Sequence, residues 1–270
     1  MIEHIEIEKL WGRYDINLTL HPDVNILAGI NGSGKSTLLK LLEQSFNYKK
    51  KSGVDMFHFY YAIKITGKEV DINIINGLCA SHKYNFDIDC INTFEGIFHE
   101  SYKEDRPRET VVPLTSFIQN MVYETRHRSL NNFRLRATEN PLDRHRIDRL
   151  QKWTDIVNSF FVTTQKSFVM KGREVFFKQA DGYDIQLKDL SSGEKKLLII
   201  LIKALVQDEN PFILLMDEPE ISLDIDWQYR LIDTIRTINP SCQLIIATHS
   251  PAIFGDGWND KLFFMEDIMK

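Results

Sequence analysis

The sequence predicts an α/β fold: a mixed sheet core with parallel strands, antiparallel strands ahead of it, and a helical insert between its two halves. Three observations carry this. The chain opens on "IEHIEIEKL" and "YDINLTL", where apolar and polar residues alternate as in half-buried strands. Its last third alternates dense apolar runs, "FILLMD" and "QLIIATH", with helical patterns, as buried parallel strands alternate with the helices that cover them. In the middle the chain turns Arg-rich, and the spacing in "RIDRLQKWTDIVNSFF" is that of a helix.

The elements follow in order. After the two opening strands, "VNILAG" is a denser apolar strand that runs into a glycine-rich turn, and residues 36–45 carry a helical pattern. A basic turn, "NYKKKSG", leads to strands in "FHFYYAIKIT" and "VDINII". Beyond the insert, "SFVMKGREVFFKQ" and "YDIQL" predict a hairpin closed by "ADG". Then come the helix after Gly193, the strand "FILLMD", the helix "WQYRLIDTIRTI", the strand "QLIIATH" and a last strand, "KLFFME". The partition is a core of residues 1–91 and 166–270 and an insert of residues 92–165. No internal repeat or sustained heptad tract is present.

Bulk properties exclude several classes. A chain of 270 residues can bury a large core. Its net charge of −5 rules out a polycation that coats nucleic acid as a whole. Charge is nevertheless uneven: between Arg126 and Lys152, eight Lys or Arg side chains face three carboxylates, so this region is a candidate nucleic-acid contact. Cys79, Cys90 and Cys242 are odd in number and have no CxxC spacing, which points away from a disulfide framework or zinc site and fits a reducing cytoplasm. The first residues, "MIEHIEIEKL", are too charged for a secretory signal. The longest apolar run, "LLIILIKALV", is interrupted by Lys203 and falls short of the ~20 residues of a spanning helix. A cytoplasmic protein without a membrane contact is expected.

The glycine-rich turn, "GINGSGKST", fits G-x-x-x-x-G-K-[ST] and has the right setting, an apolar strand before and a helix after. Gly32 and Gly34 let the backbone approach a phosphate, and successive N–H groups from Asn31 and Ser33 to Thr37, with the positive end of the helix, hold the anion. Lys35 reaches the β- and γ-phosphates of ATP, and the Ser36 hydroxyl is a ligand for Mg²⁺. A second acidic element closes "FILLMDEPE". Alternation along the strand points Asp217 and Glu218 in different directions, so Asp217 can serve the metal while Glu218 orients or deprotonates a water. In "ATHSP", His249 ends another apolar strand, where the carboxyl ends of α/β strands surround a ligand.

These pieces, in this order, resemble the ATP-binding cassette ATPases. "LSSGE", residues 190–194, is similar to the signature motif L-S-G-G-[QE], with Ser192 in place of its first glycine. "LLMDEPE" is similar to the Walker B strand, "ISLD" ending at Asp224 to the D-loop, and His249 to the switch histidine. The match covers roughly the first fifty and last eighty-five residues. It implies a P-loop NTPase fold and a head-to-tail homodimer around ATP, open to higher oligomers, in which Ser191 and the backbone near Gly193 contact the γ-phosphate held by a second copy. Lys195 and Lys196, just after the signature, either couple to the acidic D-loop or lie in a solvated first turn. Two weaker transfers are Gln119 as a glutamine loop and Trp11 or Tyr14 as an adenine platform.

Within this superfamily the chain looks like the soluble branch of SMC, RecF and OLD-type proteins, including the AAA_21-like ATPases of Septu and retron anti-phage systems. It carries no coiled coil and ends soon after its last strand, so the expectation is a bare ATPase acting in defence or DNA maintenance through a separate effector, a nuclease or toxin. Two alternatives stay open: the ATPase subunit of a transporter, against which Glu220 speaks, and a nucleotide-gated scaffold with negligible turnover.

Overall fold

The computed structural model describes residues 1–47, 62–76, 78–91, 97–98, 110–111, 113–123, 128–139, 144–255 and 257–270. Parallel and antiparallel strands segregate into separate sheets. β1 (Ile2–Leu10), β2 (Tyr14–Thr19), β4 (Ala62–Gly67), β5 (Val70–Ile75) and β6 (Leu78–Tyr84) form an antiparallel sheet in the order β2-β1-β4-β5-β6. β3 (Val24–Ala28), β7 (Asp87–Ile91), β13 (Phe212–Asp217), β14 (Cys242–Ala247) and β15 (Leu262–Phe264) form a parallel sheet in the order β15-β3-β14-β13-β7. A small pair, β8 (Ile97–Phe98) and β9 (Thr110–Val111), stands apart.

Two hydrophobic clusters flank the parallel sheet, and side-chain alternation decides which residue joins which. Along β13, Phe212, Leu214 and Met216 face one cluster while Ile213 and Leu215 face the other. The second cluster holds the antiparallel sheet and α1 (Lys35–Phe46), whose Leu38, Leu39, Leu41, Leu42 and Phe46 are buried between the two sheets. The first holds α5 (Ser192–Val206) and α6 (Ile225–Ile238), together with α2 (Leu114–Tyr123), α3 (Leu130–Glu139) and α4 (Arg144–Phe161). α5 is buried from Gly193 to Val206, and from Leu197 on, Lys203 alone interrupts its apolar surface. α4 is pinned to it by Trp153, whose indole N–H donates to the Leu201 carbonyl at 2.9 Å. Two short helices, α7 (Pro251–Phe254) and α8 (Met265–Ile268), finish the chain. Among the described residues no helix is long and apolar enough to cross a membrane.

Some expectations change. The segment after the insert is a three-stranded sheet, not a two-stranded hairpin: β10 (Lys166–Lys171), β11 (Glu174–Gln179) and β12 (Asp184–Gln186). Its extra reversal is at Gly172, which takes the left-handed conformation that such a tight turn needs, with φ at 58°. β6 and β7 lie in stretches whose sequence carries no clear strand pattern. The strand in "FHFYYAIKIT" is described only from Ala62, and most of the basic turn before it, with Arg126 in the insert, lies outside the described residues.

Where it can be described, much of the Arg-rich stretch is engaged within the chain, while Arg144 and Lys152 are exposed. Arg146 and Arg149 on α4 both pair with Asp208, at 2.6 Å, and Arg149 also reaches Glu209 at 3.2 Å. Arg128 pairs with Asp87, and Arg134 donates to the Gly172 carbonyl. These cations are spent inside the chain.

Candidate functional site

Because the core strands are parallel, their carboxyl ends meet at one edge. β14 lies between β3 and β13, so the chain places His249 between the phosphate loop after β3 and the two carboxylates after β13. The ladder continues beyond the strands: Thr248 N–H donates to Leu27 O at 3.1 Å and Glu218 N–H to Ala247 O at 2.8 Å.

The phosphate loop runs from Gly29 into α1. Its helix starts at Gly34, a residue with no side chain to cap it, whereas Ser191, Asp224 and Ser250 cap α5, α6 and α7 with their side chains. The first-turn N–H groups of Lys35, Ser36 and Thr37 are therefore left for an anion. Gly34 has φ at 97°, and a Cβ there would sit 2.8 Å from the ring of Trp11. Trp11 thus packs on the loop, with Tyr14 edge-on to it at 6.2 Å between centroids. Asn31 and Gly32 are exposed at the tip. Lys35 is buried, its ammonium donating to the carbonyls of Gly29 at 2.8 Å and Ile30 at 3.0 Å, with Ser33 Oγ at 3.5 Å. Burial lowers its pKa, against the pull of Glu218, Asp217 and Glu266.

Ser36 Oγ donates to Asp217 Oδ1 at 2.8 Å. The two oxygens expected to share a magnesium ion are therefore already side by side, a hard-oxygen donor set that fits that cation. His249 Nε2 lies 3.1 Å from Glu218 Oε1. The expected water-activating carboxylate and switch histidine are in contact, although 31 positions of sequence separate them.

The signature segment behaves differently. Ser191 and Glu194 form a capping box: the Ser191 hydroxyl accepts from Glu194 N–H at 3.2 Å, and Glu194 Oε2 accepts from Ser191 N–H at 2.9 Å. Burial alone would raise the Glu194 carboxyl; the Lys166 hydrogen bond at 2.5 Å and the Ser191 N–H hold it below its usual value. Ser191 and Ser192 are exposed and Gly193 is buried. A Cβ on Gly193 would lie 2.0 Å from the Ser222 carbonyl oxygen, so the D-loop rests directly on this glycine's backbone. Gly193→Ala must push that loop away. It is expected to cost ~1–3 kcal/mol and to lower ATP turnover with it, measured by thermal melting beside an ATPase assay; an unchanged melt would show that the loop yields freely. Asp224, next along the D-loop, is exposed and caps α6, its Oδ1 accepting from Asp226 N–H at 2.9 Å.

Of the two places expected for Lys196, the structure has the one at the D-loop: its buried ammonium donates to Ile221 O at 3.4 Å, and also to Glu218 O at 3.0 Å, a contact that residue patterns alone missed. Burial brings the pKa of this ammonium down to about 8, against Glu220, Asp217 and Glu218. Lys195 turns instead to the Lys188 carbonyl at 2.7 Å. Glu220 Oε1 accepts from the backbone N–H of His249 at 2.8 Å. Gln119 is on the exposed side of α2, whose buried face packs with α5.

Comparison with known proteins agrees with this architecture. The model of the AAA_21 family, described as "AAA domain, putative AbiEii toxin, Type IV TA system", matches residues 80–255. The "Retron Vc95 probable ATPase" of Vibrio cholerae serotype O1 biovar El Tor is 32% identical over 99 residues, 33% of this chain. That match spans 19% of the relative's length. Among solved structures, the SMC head domain from Thermotoga maritima is similar with a TM-score of 0.56 at 13% identity, over 97% of this chain and 94% of that one. An Smc head bound to the C-winged helix domain of ScpA gives 0.59 at 14% identity, over 93% and 90%. These likenesses show the fold, that of SMC head domains.

Proposed function

Because this chain belongs to the AAA_21 family, we propose that it is a magnesium-dependent ATPase whose copies pair head to tail around ATP. One observation carries the pairing. The phosphate loop, Asp217, Glu218 and His249 converge at one edge of the sheet. The signature tip, Ser191 and Ser192, is exposed and among the described residues bonds only to its own helix start. A tip with a rigid cap and no partner of its own is suited to another copy's nucleotide, with the positive end of α5 aimed at the γ-phosphate.

The chemistry follows from the side chains. Lys35 exchanges loop carbonyls for phosphate oxygens, and the uncapped N–H groups of α1 take the remaining charge. Ser36 and Asp217 would hold magnesium, which neutralises charge on the β- and γ-phosphates. Glu218 accepts the proton of the attacking water, and His249, hydrogen-bonded to it, fixes its orientation and reaches toward the departing phosphate. Trp11, packed on Gly34, offers a ring at the edge of the loop where a base can stack.

In the wider role we favour, ATP-driven closing and opening of the pair controls an effector protein, a nuclease or toxin, in anti-phage defence. The relative named for a retron supports this, as does an SMC head that binds ScpA.

Mixing two inactive variants tests the shared site. Lys35→Met breaks the phosphate loop and leaves the tip intact; Ser192→Arg blocks the exposed tip and leaves the Ser191 cap intact. Each alone is expected to lack ATPase activity. Mixed, they rebuild one complete site per pair, and turnover returns. If the mixture stays as inactive as its components, the shared-site reading is wrong.

A further inference from the structure

The catalytic turn is strained, and two residues outside the expected motif chemistry hold it. Glu218 has φ at 45°, a left-handed conformation that costs an L-residue on the order of 1–3 kcal/mol and persists only where neighbours fix it. Its N–H is tied to Ala247 O, and its carbonyl accepts both from Ile221 N–H at 3.2 Å and from the Lys196 ammonium at 3.0 Å. The same ammonium reaches Ile221 O, so it bridges both ends of the turn. Lys196 is only 8% exposed. A cation that deep stays charged only with such partners, and an apolar residue would fill the space at less cost.

The histidine has a matching support. Glu220 Oε1 accepts from His249 N–H, at the point where β14 ends and the chain turns toward α7. The other carboxylate oxygen, Oε2, is buried without a hydrogen-bond partner among the described residues. A buried carboxylate oxygen left without a partner beside a catalytic pair is costly to keep, so the bond made by the other oxygen has a job, and that bond sets the backbone from which the imidazole projects.

We propose that Lys196 and Glu220 are positioning residues of the Glu218–His249 pair: Lys196 fixes the turn that aims the carboxylate, and Glu220 fixes the backbone that aims the imidazole. This rests on the ATPase reading above. It also gives α5 a second duty, because Lys196 lies on the helix whose first turn carries the exposed tip. A displacement of that helix when the tip meets a second copy passes through the ammonium to Glu218 without an intervening loop.

The test compares the full chain with Lys196→Met, Lys196→Arg, Glu220→Leu and Glu220→Gln by steady-state ATP hydrolysis, ATP affinity and thermal melting. Lys196→Met and Glu220→Leu are expected to lower kcat by ~10–100-fold, the scale of a displaced reacting group, with ATP affinity within about twofold of wild type. Lys196→Arg restores a charged donor and most of the rate. Glu220→Gln keeps the Oε1 acceptor and stays near wild type. Wild-type kcat in Lys196→Met or Glu220→Leu overturns the proposal and leaves the ATPase reading standing. So does a loss that follows ATP affinity or the folded fraction. A wild type with no magnesium-dependent turnover overturns both.

Discussion

Glu218→Gln is expected to lower ATP turnover by ~10²–10⁴-fold, the usual worth of a general base, while ATP binding survives. The substitution is nearly isosteric. The amide keeps an oxygen where Glu218 Oε1 now meets His249, so the hydrogen bond and the strained turn can persist. What disappears is the ability to take a proton from water. Lys35 and the Ser36–Asp217 pair have hydrogen bonds of their own that do not use this carboxylate, and they continue to bind nucleotide. A site that binds but does not hydrolyse leaves the ATP-linked pair nowhere to go, so mass action favours the closed dimer. Light scattering with ATP and magnesium should show the variant as a dimer at concentrations where the wild type cycles back to monomer. Phosphate release should fall in the same samples. Turnover equal to wild type would remove Glu218 from the chemistry. Lost turnover without a gain in dimer would leave the catalytic role and remove the shared nucleotide.

The groups that carry this prediction were legible because each is a short string at the end of a strand. A glycine-rich turn before a helix, two acids after an apolar run and a histidine after another can be recognised without knowing what lies across the sheet. That β14 separates β3 from β13, and so brings His249 to Glu218, is a property of strand order that no local pattern encodes. The same limit hid β7. "DIDCI" reads as polar, with acids at 87 and 89, yet it is an edge strand of the parallel sheet. Its acids are tolerated there because Arg128 pairs with Asp87 and Lys203 pairs with Asp89, partners 41 and 114 positions away. Lys203 itself stands out in the sequence as an interruption of an apolar helix. Its meaning appears only when α5 lies across the sheet and the ammonium finds Asp89 and the ring of Phe117 at 5.6 Å. The motif gives Gly193 one reason, a phosphate contact; the structure adds a second, the Ser222 carbonyl pressed against it. In each case the missing information was a contact between distant segments.

The second large effect is on stability, and it falls on a residue that composition alone would place on a nucleic-acid surface. Arg149 is 8% exposed; its guanidinium meets Asp208 at 2.6 Å and Glu209 at 3.2 Å, and it donates to the Ile238 carbonyl at 3.3 Å. It also stacks over Phe133, 5.5 Å from the ring centroid. Asp208 and Glu209 follow the end of α5 in left-handed conformations, with φ at 54° and 61°. Like-charged neighbours in a strained turn need a cation to hold them. One guanidinium therefore joins α4, the end of α5 and the end of α6. Arg149→Ala removes the centre of this knot: Asp208 keeps Arg146, while Glu209 and the Ile238 carbonyl lose the guanidinium. Breaking a buried pair from one side costs ~3–5 kcal/mol, which for a chain of this size lowers the melting midpoint by on the order of 10 °C. Arg149→Lys recovers little, because an ammonium cannot make the forked contacts of a guanidinium to both acids and the carbonyl. Arg144→Ala, at the exposed start of the same helix, is expected to stay within ~0.5 kcal/mol of wild type. Thermal melts of the three variants decide the matter. Equal, small shifts at both positions would return Arg149 to the surface and reopen the basic stretch as a binding face. A large loss at Arg149 alone means that reduced nucleic-acid binding in an Arg149 variant reports unfolding, and that any test of such binding belongs on Arg144.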